Sequence, residues 1–248
     1  MEKIITIENI KSFSYCNADK CKKPIRAVVL FFFGLGGSDS FGDEMPEGKM
    51  YAEQGILFLA PYYNPWSWMN KQAVEYTEEL FEHFNLPANT PIVSTGASMG
   101  GLSTLIFTNY AKRTPIACVA NCPVCDLPYH FTERRDLPRT IYSAFGNYDC
   151  SFEDAMKSNS PLHLVDKMPK TTKYCIFHCE KDDAVNKKIH SDRFVAELKR
   201  EHYVKYYEIA DRGHCDLTDE MRQIYLVFIV DAIKEKENQK YFKCVYEK

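Results

Sequence analysis

Glycine is scarce in this chain, eleven residues of 248, so any cluster of glycines stands out. An excess of one charge is lacking as well. Lys and Arg total 31 against 34 for Asp and Glu, a net charge of −3, which speaks against nucleic acid or an anionic membrane as a partner. Long apolar runs are missing. The longest near the start, residues 27–33, is strand-sized, and nothing approaches a membrane span. The stretch 1–8 is too short and too acidic for the apolar region of a signal peptide. A cytoplasmic location is therefore expected, and the ten cysteines are expected to be free thiols rather than a disulfide framework. No linker, internal repeat, coiled coil or low-complexity tract is visible.

What is present is a hydrophobic fraction of 45%, enough for a globular chain with a proper core. The length suits one α/β domain over residues 1–248. Short apolar runs alternate with helical patterns, which predicts a mostly parallel central sheet flanked by helices. Strands are expected at 26–33, 56–60, 91–95, 116–120, 174–178 and 204–209, with 4–10 and 12–16 as an opening antiparallel pair. Helices are expected at 68–84, immediately after residue 100, at 189–198 and at 221–233. Between 121 and 170 the pattern breaks into a polar stretch with several prolines and only short helix candidates. That is too long for an ordinary connection. It reads as a small insertion, either lid-like over a site or an interaction surface.

Gly96-Ala97-Ser98-Met99-Gly100 is a Gly-x-Ser-x-Gly motif. A β-branched run precedes it and a helical pattern follows it. In that strand–turn–helix context the motif marks a nucleophilic serine, because the tight turn lifts the hydroxyl above the sheet edge. A serine hydroxyl needs a base, and the base needs a carboxylate to orient it. Of seven histidines, His214 fits best: it follows the expected strand 204–209 and precedes the closing helix. His83, His190 and His202 fall on helices or helix ends, and His130 and His163 fall in the insertion. His178 ends a strand and reads as a structural residue that ties down the loop after it. That loop, Glu180-Lys181-Asp182-Asp183-Ala184-Val185, supplies Asp182 as the orienting acid. Asp183 beside it and Asp126, after the strand 116–120, are the rivals.

The order Ser98, Asp182, His214 is the Ser…Asp…His order of the α/β-hydrolases. Elbow, acid loop and terminal Gly213-His214 resemble that superfamily over nearly the whole chain. More narrowly, Ser160-Pro161-Leu162, the strand ending in His178, and Lys181-Asp182-Asp183-Ala184-Val185 resemble the catalytic domain of the prolyl-oligopeptidase and acyl-esterase branch. The chain departs from that branch at Cys179 and Asn186, where Gly and Pro are usual, and at Phe33, where His is usual. The resemblance implies an α/β-hydrolase fold and a serine hydrolase without a cofactor. It also implies an oxyanion hole built from backbone N–H groups. Met99, after the nucleophile, and Leu35, in the loop Phe33-Gly34-Leu35-Gly36-Gly37-Ser38, are the expected donors. Seven of the eleven glycines fall in the three site loops.

The glycine loop lacks the endings of a phosphate-binding or dinucleotide-binding loop, so no nucleotide is expected. Both tryptophans lie in Pro61-Tyr62-Tyr63-Asn64-Pro65-Trp66-Ser67-Trp68, and Asn64, Trp66 and Trp68 are taken as substrate-binding residues, against the alternative that they plug the core. Cys122 and Cys125 form a single C-x-x-C. Structural zinc wants two such pairs, so no metal is expected. Without a propeller-sized domain in this sequence, the expected activity is cleavage of a small carboxylic ester. A stand-alone prolyl-oligopeptidase-like peptidase and a non-catalytic binding protein of the same fold are the alternatives. The sequence leaves the oligomeric state open.

Overall fold

The computed structural model describes residues 4–37 and 44–246, the last seven by backbone alone. Its strands are β1 (Ser14–Cys16), β2 (Ala27–Phe32), β3 (Ile56–Pro61), β4 (Ile92–Ala97), β5 (Ala117–Asn121), β6 (Lys173–Cys179) and β7 (Val204–Ile209). They form one sheet in the order β1-β3-β2-β4-β5-β6-β7. Every pairing is parallel except β1 with β3. Parallel pairing requires crossovers, and the crossovers place helices on both faces. That explains why the inner strands are continuous apolar runs rather than alternating ones. In β2, Val28, Leu30 and Phe32 face helices α2 (Lys71–Glu82) and α3 (Met99–Tyr110), while Ala27 and Val29 face α1 (Pro46–Glu53) and α8 (Asp219–Tyr246).

Residues 4–10 are not a strand. The Asn9 side chain accepts from Thr6 N–H at 2.8 Å and donates to Ile4 O at 2.9 Å, which curls the segment into a turn before a single 3₁₀ turn at Ile10–Ser12. The antiparallel partner of β1 is β3, with Ser14 opposite Pro61. The expected helix 189–198 begins as a π-turn, Lys188–Asp192, and continues as α7 (Arg193–Leu198). Helix α1 has no counterpart in the sequence reading, and α8 runs well past residue 233.

The stretch 121–170 holds α4 (Leu127–Glu133), α5 (Leu137–Phe145), α6 (Phe152–Lys157) and a 3₁₀ segment, Pro161–Lys167. Its apolar residues Leu137, Ile141, Phe145 and Met156 join the same core as α2 and α3. Polar ties fix it further. Trp68 Nε1–H donates to Thr140 Oγ1 at 3.1 Å, Asn70 Nδ2 donates to Ala144 O at 3.1 Å, and Lys71 N–H donates to Tyr148 Oη at 2.8 Å. The insertion is thus a packed part of the domain. No helix among the described residues is long and apolar enough to cross a membrane.

Candidate active site

Ser98 stands between the last residue of β4 and the first of α3, with φ 59° and ψ −123°. A non-glycine residue holds such a backbone only when its surroundings force it. Here they do. A Cβ on Gly96 would run into the carbonyl of Gly100, and one on Gly100 into the carbonyl of Phe32. The two glycines let strand, turn and helix close around the serine. Ser98 N–H donates to Asn121 O at 2.9 Å, which moors the turn to the neighbouring strand end.

The expected acid, Asp182, lies in the loop after β6. Asp182 Oδ1 accepts from the N–H groups of Ala184 and Val185, each at 2.9 Å. Its Oδ2 accepts from His214 Nδ1–H at 2.7 Å and lies 3.3 Å from His178 Nε2. Its side chain is fully enclosed. Burial alone would raise the Asp182 carboxyl, but the hydrogen bonds from His178 and His214 and from the backbone hold it far below the usual carboxylate range. His178 is buried, with Nε2–H toward Val185 O at 3.1 Å and Nδ1 at 2.6 Å from Ser191 Oγ, so it pins the acid loop. A second pin is Glu133 at the end of α4. Its Oε1 accepts from Asn186 N–H at 2.8 Å, and its Oε2 accepts from His130 at 2.6 Å and His190 at 3.0 Å. No motif announces that tie, because His130 and Glu133 share α4 while Asn186 and His190 come from the acid loop and the π-turn after it.

His214 follows β7 and is half-buried. With Nδ1–H committed to Asp182, its Nε2 carries the free lone pair in the neutral ring. Burial lowers the imidazole pKa, but Asp182 and Cys122 outweigh it and push it up to about 9. Nε2 lies 3.5 Å from Cys215 Sγ, and Cys122 Sγ is within 4.8 Å of both. Among the described residues no hydrogen bond joins Ser98 Oγ to His214. Asn121 nonetheless holds the two at one sheet edge: its backbone oxygen accepts from Ser98 N–H, and its Nδ2 donates to Cys215 O at 3.2 Å. Asn121 and Cys122 stand beside the candidate residues, and neither was expected at this edge from the sequence. Their signal was position, at the end of β5 beside the elbow strand.

The rival acids sit elsewhere. Asp126 caps α4 through Tyr129 N–H at 3.1 Å and pairs with Arg193 at 3.1 Å. Asp183 is exposed, and among the described residues no hydrogen bond or ion pair joins it to His214. The glycine loop abuts the serine, since a Cβ on Gly34 would stand 3.8 Å from Ser98 Cβ. Leu35 belongs to that loop, and Met99 is the first residue of α3; Ser38, at the end of the loop, lies outside the described residues. In the aromatic loop, Gly36 N–H donates to Pro65 O at 3.1 Å, tying it to the glycine loop. Trp66 is 40% exposed, with the Arg139 guanidinium 5.6 Å from its ring centre. Asn64 shapes the turn, its Oδ1 accepting from Trp66 N–H at 2.9 Å. Trp68 is 1% exposed and packs edge-on against His130. The substrate-binding expectation for Trp68 therefore gives way to a packing role. The indole is too deep to meet a ligand, and its N–H is spent on Thr140.

Residues 63–233 match the profile of the prolyl oligopeptidase family. The chain belongs to that family. No curated protein matches it by sequence. Among solved structures, a puromycin-hydrolyzing peptidase of Mycobacterium tuberculosis superposes with TM-score 0.61 at 17% identity, over 77% of this chain and 31% of its own. Est1E of Butyrivibrio proteoclasticus gives TM-score 0.61 at 16% identity, over 89% of this chain and 94% of its own. Esterase B of Lactobacillus rhamnosis gives 0.64 at 12% identity, over 92% and 82%. The chain thus spans under a third of the peptidase and most of each esterase. These likenesses show the fold, an α/β-hydrolase fold, and membership of the prolyl oligopeptidase family makes the chain a hydrolase by kinship.

Proposed function

We propose that this chain is a serine hydrolase that cleaves a small carboxylic ester by acyl transfer. Ser98 Oγ attacks the carbonyl carbon while His214 Nε2 takes its proton. Asp182 holds the ring in the tautomer that leaves Nε2 free and favours the imidazolium once it forms. The Leu35 and Met99 amides take the charge of the tetrahedral oxygen, each such donor contributing roughly 3–4 kcal/mol. The C–O bond to the alcohol then breaks, and His214 gives its proton to the departing oxygen. Water repeats the sequence against the acyl-enzyme and frees the acid. The His214 ring swings from the thiols toward Ser98 when substrate loads, as catalytic hydrogen bonds commonly tighten only in the complex.

The observation that carries this reading is the strained Ser98 turn at the same sheet edge as the 2.7 Å Asp182–His214 pair. An apolar cavity of about 540 Å³ supports a small acyl or alkyl group: it opens beside Ala97 and Asn121 and is walled by Phe31, Tyr51, Phe58 and Leu226. A peptide substrate is the second reading, favoured by the family match. It needs the chain held on both sides of the bond and the amine protonated as it leaves. The test is kcat/KM on short-chain p-nitrophenyl esters against matched aminoacyl and prolyl anilides. Esters should win by about 10²-fold or more, a barrier difference of about 2.7 kcal/mol. Faster cleavage of prolyl anilides would make the peptidase reading correct, and no turnover of either would leave a binding protein.

A further inference from the structure

Among the described residues, three groups of side chains bring possible metal ligands within 4.8 Å of one another: His130, Glu133 and His190; Cys122, His178 and Asp182; and Cys122, His214 and Cys215. Protons decide between them. His190 Nδ1 accepts from the N–H groups of Cys125 and Asp126, at 3.1 and 3.0 Å, so its Nε2 carries the proton and points it at Glu133. That ring has no lone pair left for a metal. His178 spends Nε2–H on Val185 O and sets Nδ1 against Ser191 Oγ, so the second group fails in the same way.

The third group differs. His214 Nδ1–H is held by Asp182, so in the neutral ring Nε2 carries the lone pair, backed by a carboxylate in the manner of zinc-binding histidines. Cys215 Sγ lies 3.5 Å from that nitrogen. A tetrahedral zinc ion, with bonds of about 2.3 Å to sulfur and about 2.0 Å to imidazole, holds such a pair about 3.5 Å apart. Cys215 N–H donates to Cys122 Sγ at 3.4 Å, a contact that strengthens when the sulfur becomes a thiolate. Both cysteines adopt left-handed backbone, φ 44° at Cys122 and 60° at Cys215. Two non-glycine residues in strained backbone thus set their sulfurs within 4.8 Å of one imidazole nitrogen. Cys215 and His214 are half-exposed, which gives an ion a way in.

We propose that Cys122, His214 and Cys215 form a binding site for a soft divalent cation of the zinc type, which shuts the hydrolase when it binds. Coordination forms two metal–sulfur bonds and one metal–nitrogen bond, releases to solvent the two thiol protons and, from a protonated ring, the His214 Nε2 proton, and leaves the fourth position to water. It engages the lone pair with which His214 takes the Ser98 proton; that shut-off rests on the acyl-transfer reading, whereas the binding does not. The site was hidden in the sequence because its ligands are spread over the residue after β5 and the loop after β7, and Cys125 takes no part: its thiol faces Pro123 O.

The test is a cobalt(II) titration of the reduced protein followed by absorption, then zinc addition with an ester assay alongside. The site predicts a thiolate-to-cobalt charge-transfer band with tetrahedral d–d bands, saturating at one ion per chain and erased by zinc. The band should be lost in Cys215→Ser, which changes one atom of a half-exposed residue, and in Cys122→Ser. Zinc should abolish ester turnover and EDTA should restore it. No thiolate band at saturating cobalt, or the same band in Cys215→Ser, overturns the site. A band with turnover untouched by zinc overturns the shut-off. A chain that binds cobalt as described but cleaves no ester keeps the site and loses the hydrolase reading.

Discussion

Two opposed effects act on His214. Burial disfavours the imidazolium, but the Asp182 carboxylate at 2.7 Å and the Cys122 sulfur favour it more, and the pKa is pushed from 6.5 to about 9. A general base works only when neutral. Hydrolysis should therefore fall as pH drops through about 9, and the rising limb of kcat/KM should lie above the ordinary imidazole range. Asp182→Asn removes the charge that raises the ring, so that limb should move down, and kcat should drop about 10⁴-fold through the wrong tautomer. A pH–rate profile whose limb stays in place in Asp182→Asn assigns the titration to another group. In the proposed mechanism Ser98 and His214 handle one proton between them. Each alanine substitution should cost roughly 10⁵–10⁶ in kcat, with the double substitution scarcely worse. Strictly additive losses, measured on one ester, would remove His214 from the role of base. At this scale the sequence announced Ser98, Asp182 and His214 as candidates through motif and order. It did not announce the thiols around His214, because Cys122 and Cys215 meet only when β5 and the post-β7 loop are brought together.

The elbow depends on two elements approaching more closely than side chains allow. A Cβ on Gly100 meets a main-chain carbonyl rather than a flexible side chain, so nothing cheap can move aside. Gly100→Ala should lower stability by about 1–3 kcal/mol in a denaturant titration and lower turnover by misplacing Ser98. Unchanged stability and turnover would show that β4 and α3 can part without cost. The two tryptophans should separate by their elements. Trp68 lies buried between the aromatic loop and the insertion, so Trp68→Ala should cost about 3–5 kcal/mol. Trp66 is surface-set beside the glycine loop, so Trp66→Ala should leave stability nearly unchanged and shift the preferred acyl length. Elements buried on both faces were legible as apolar runs. Helix α1 was not, since Pro46 and Gly48 interrupt its pattern, and residues 4–10 misled because the Asn9 side chain offers the backbone a turn in place of a ladder.

At the scale of the molecule, the parallel order of β2 to β7 sets the C-terminal strand ends along one edge. Such an edge gathers residues distant in sequence into one crevice. Ser98 follows β4, Asn121 closes β5 with Cys122 next to it, Asp182 follows β6 and His214 follows β7. The architecture and the order of these residues were readable from alternating apolar and helical segments. The packing of the insertion was not, because its short helices owe their order to contacts with α2 and the aromatic loop rather than to their own periodicity. The central claim is that Ser98 is the attacking atom of this edge. The most direct measurement is fluorophosphonate labelling of the native protein followed by peptide mass spectrometry. One phosphonyl adduct is expected, on the peptide that contains Ser98, absent in Ser98→Ala and strongly slowed in His214→Ala. An unlabelled native protein, or equal labelling of Ser98→Ala, contradicts it.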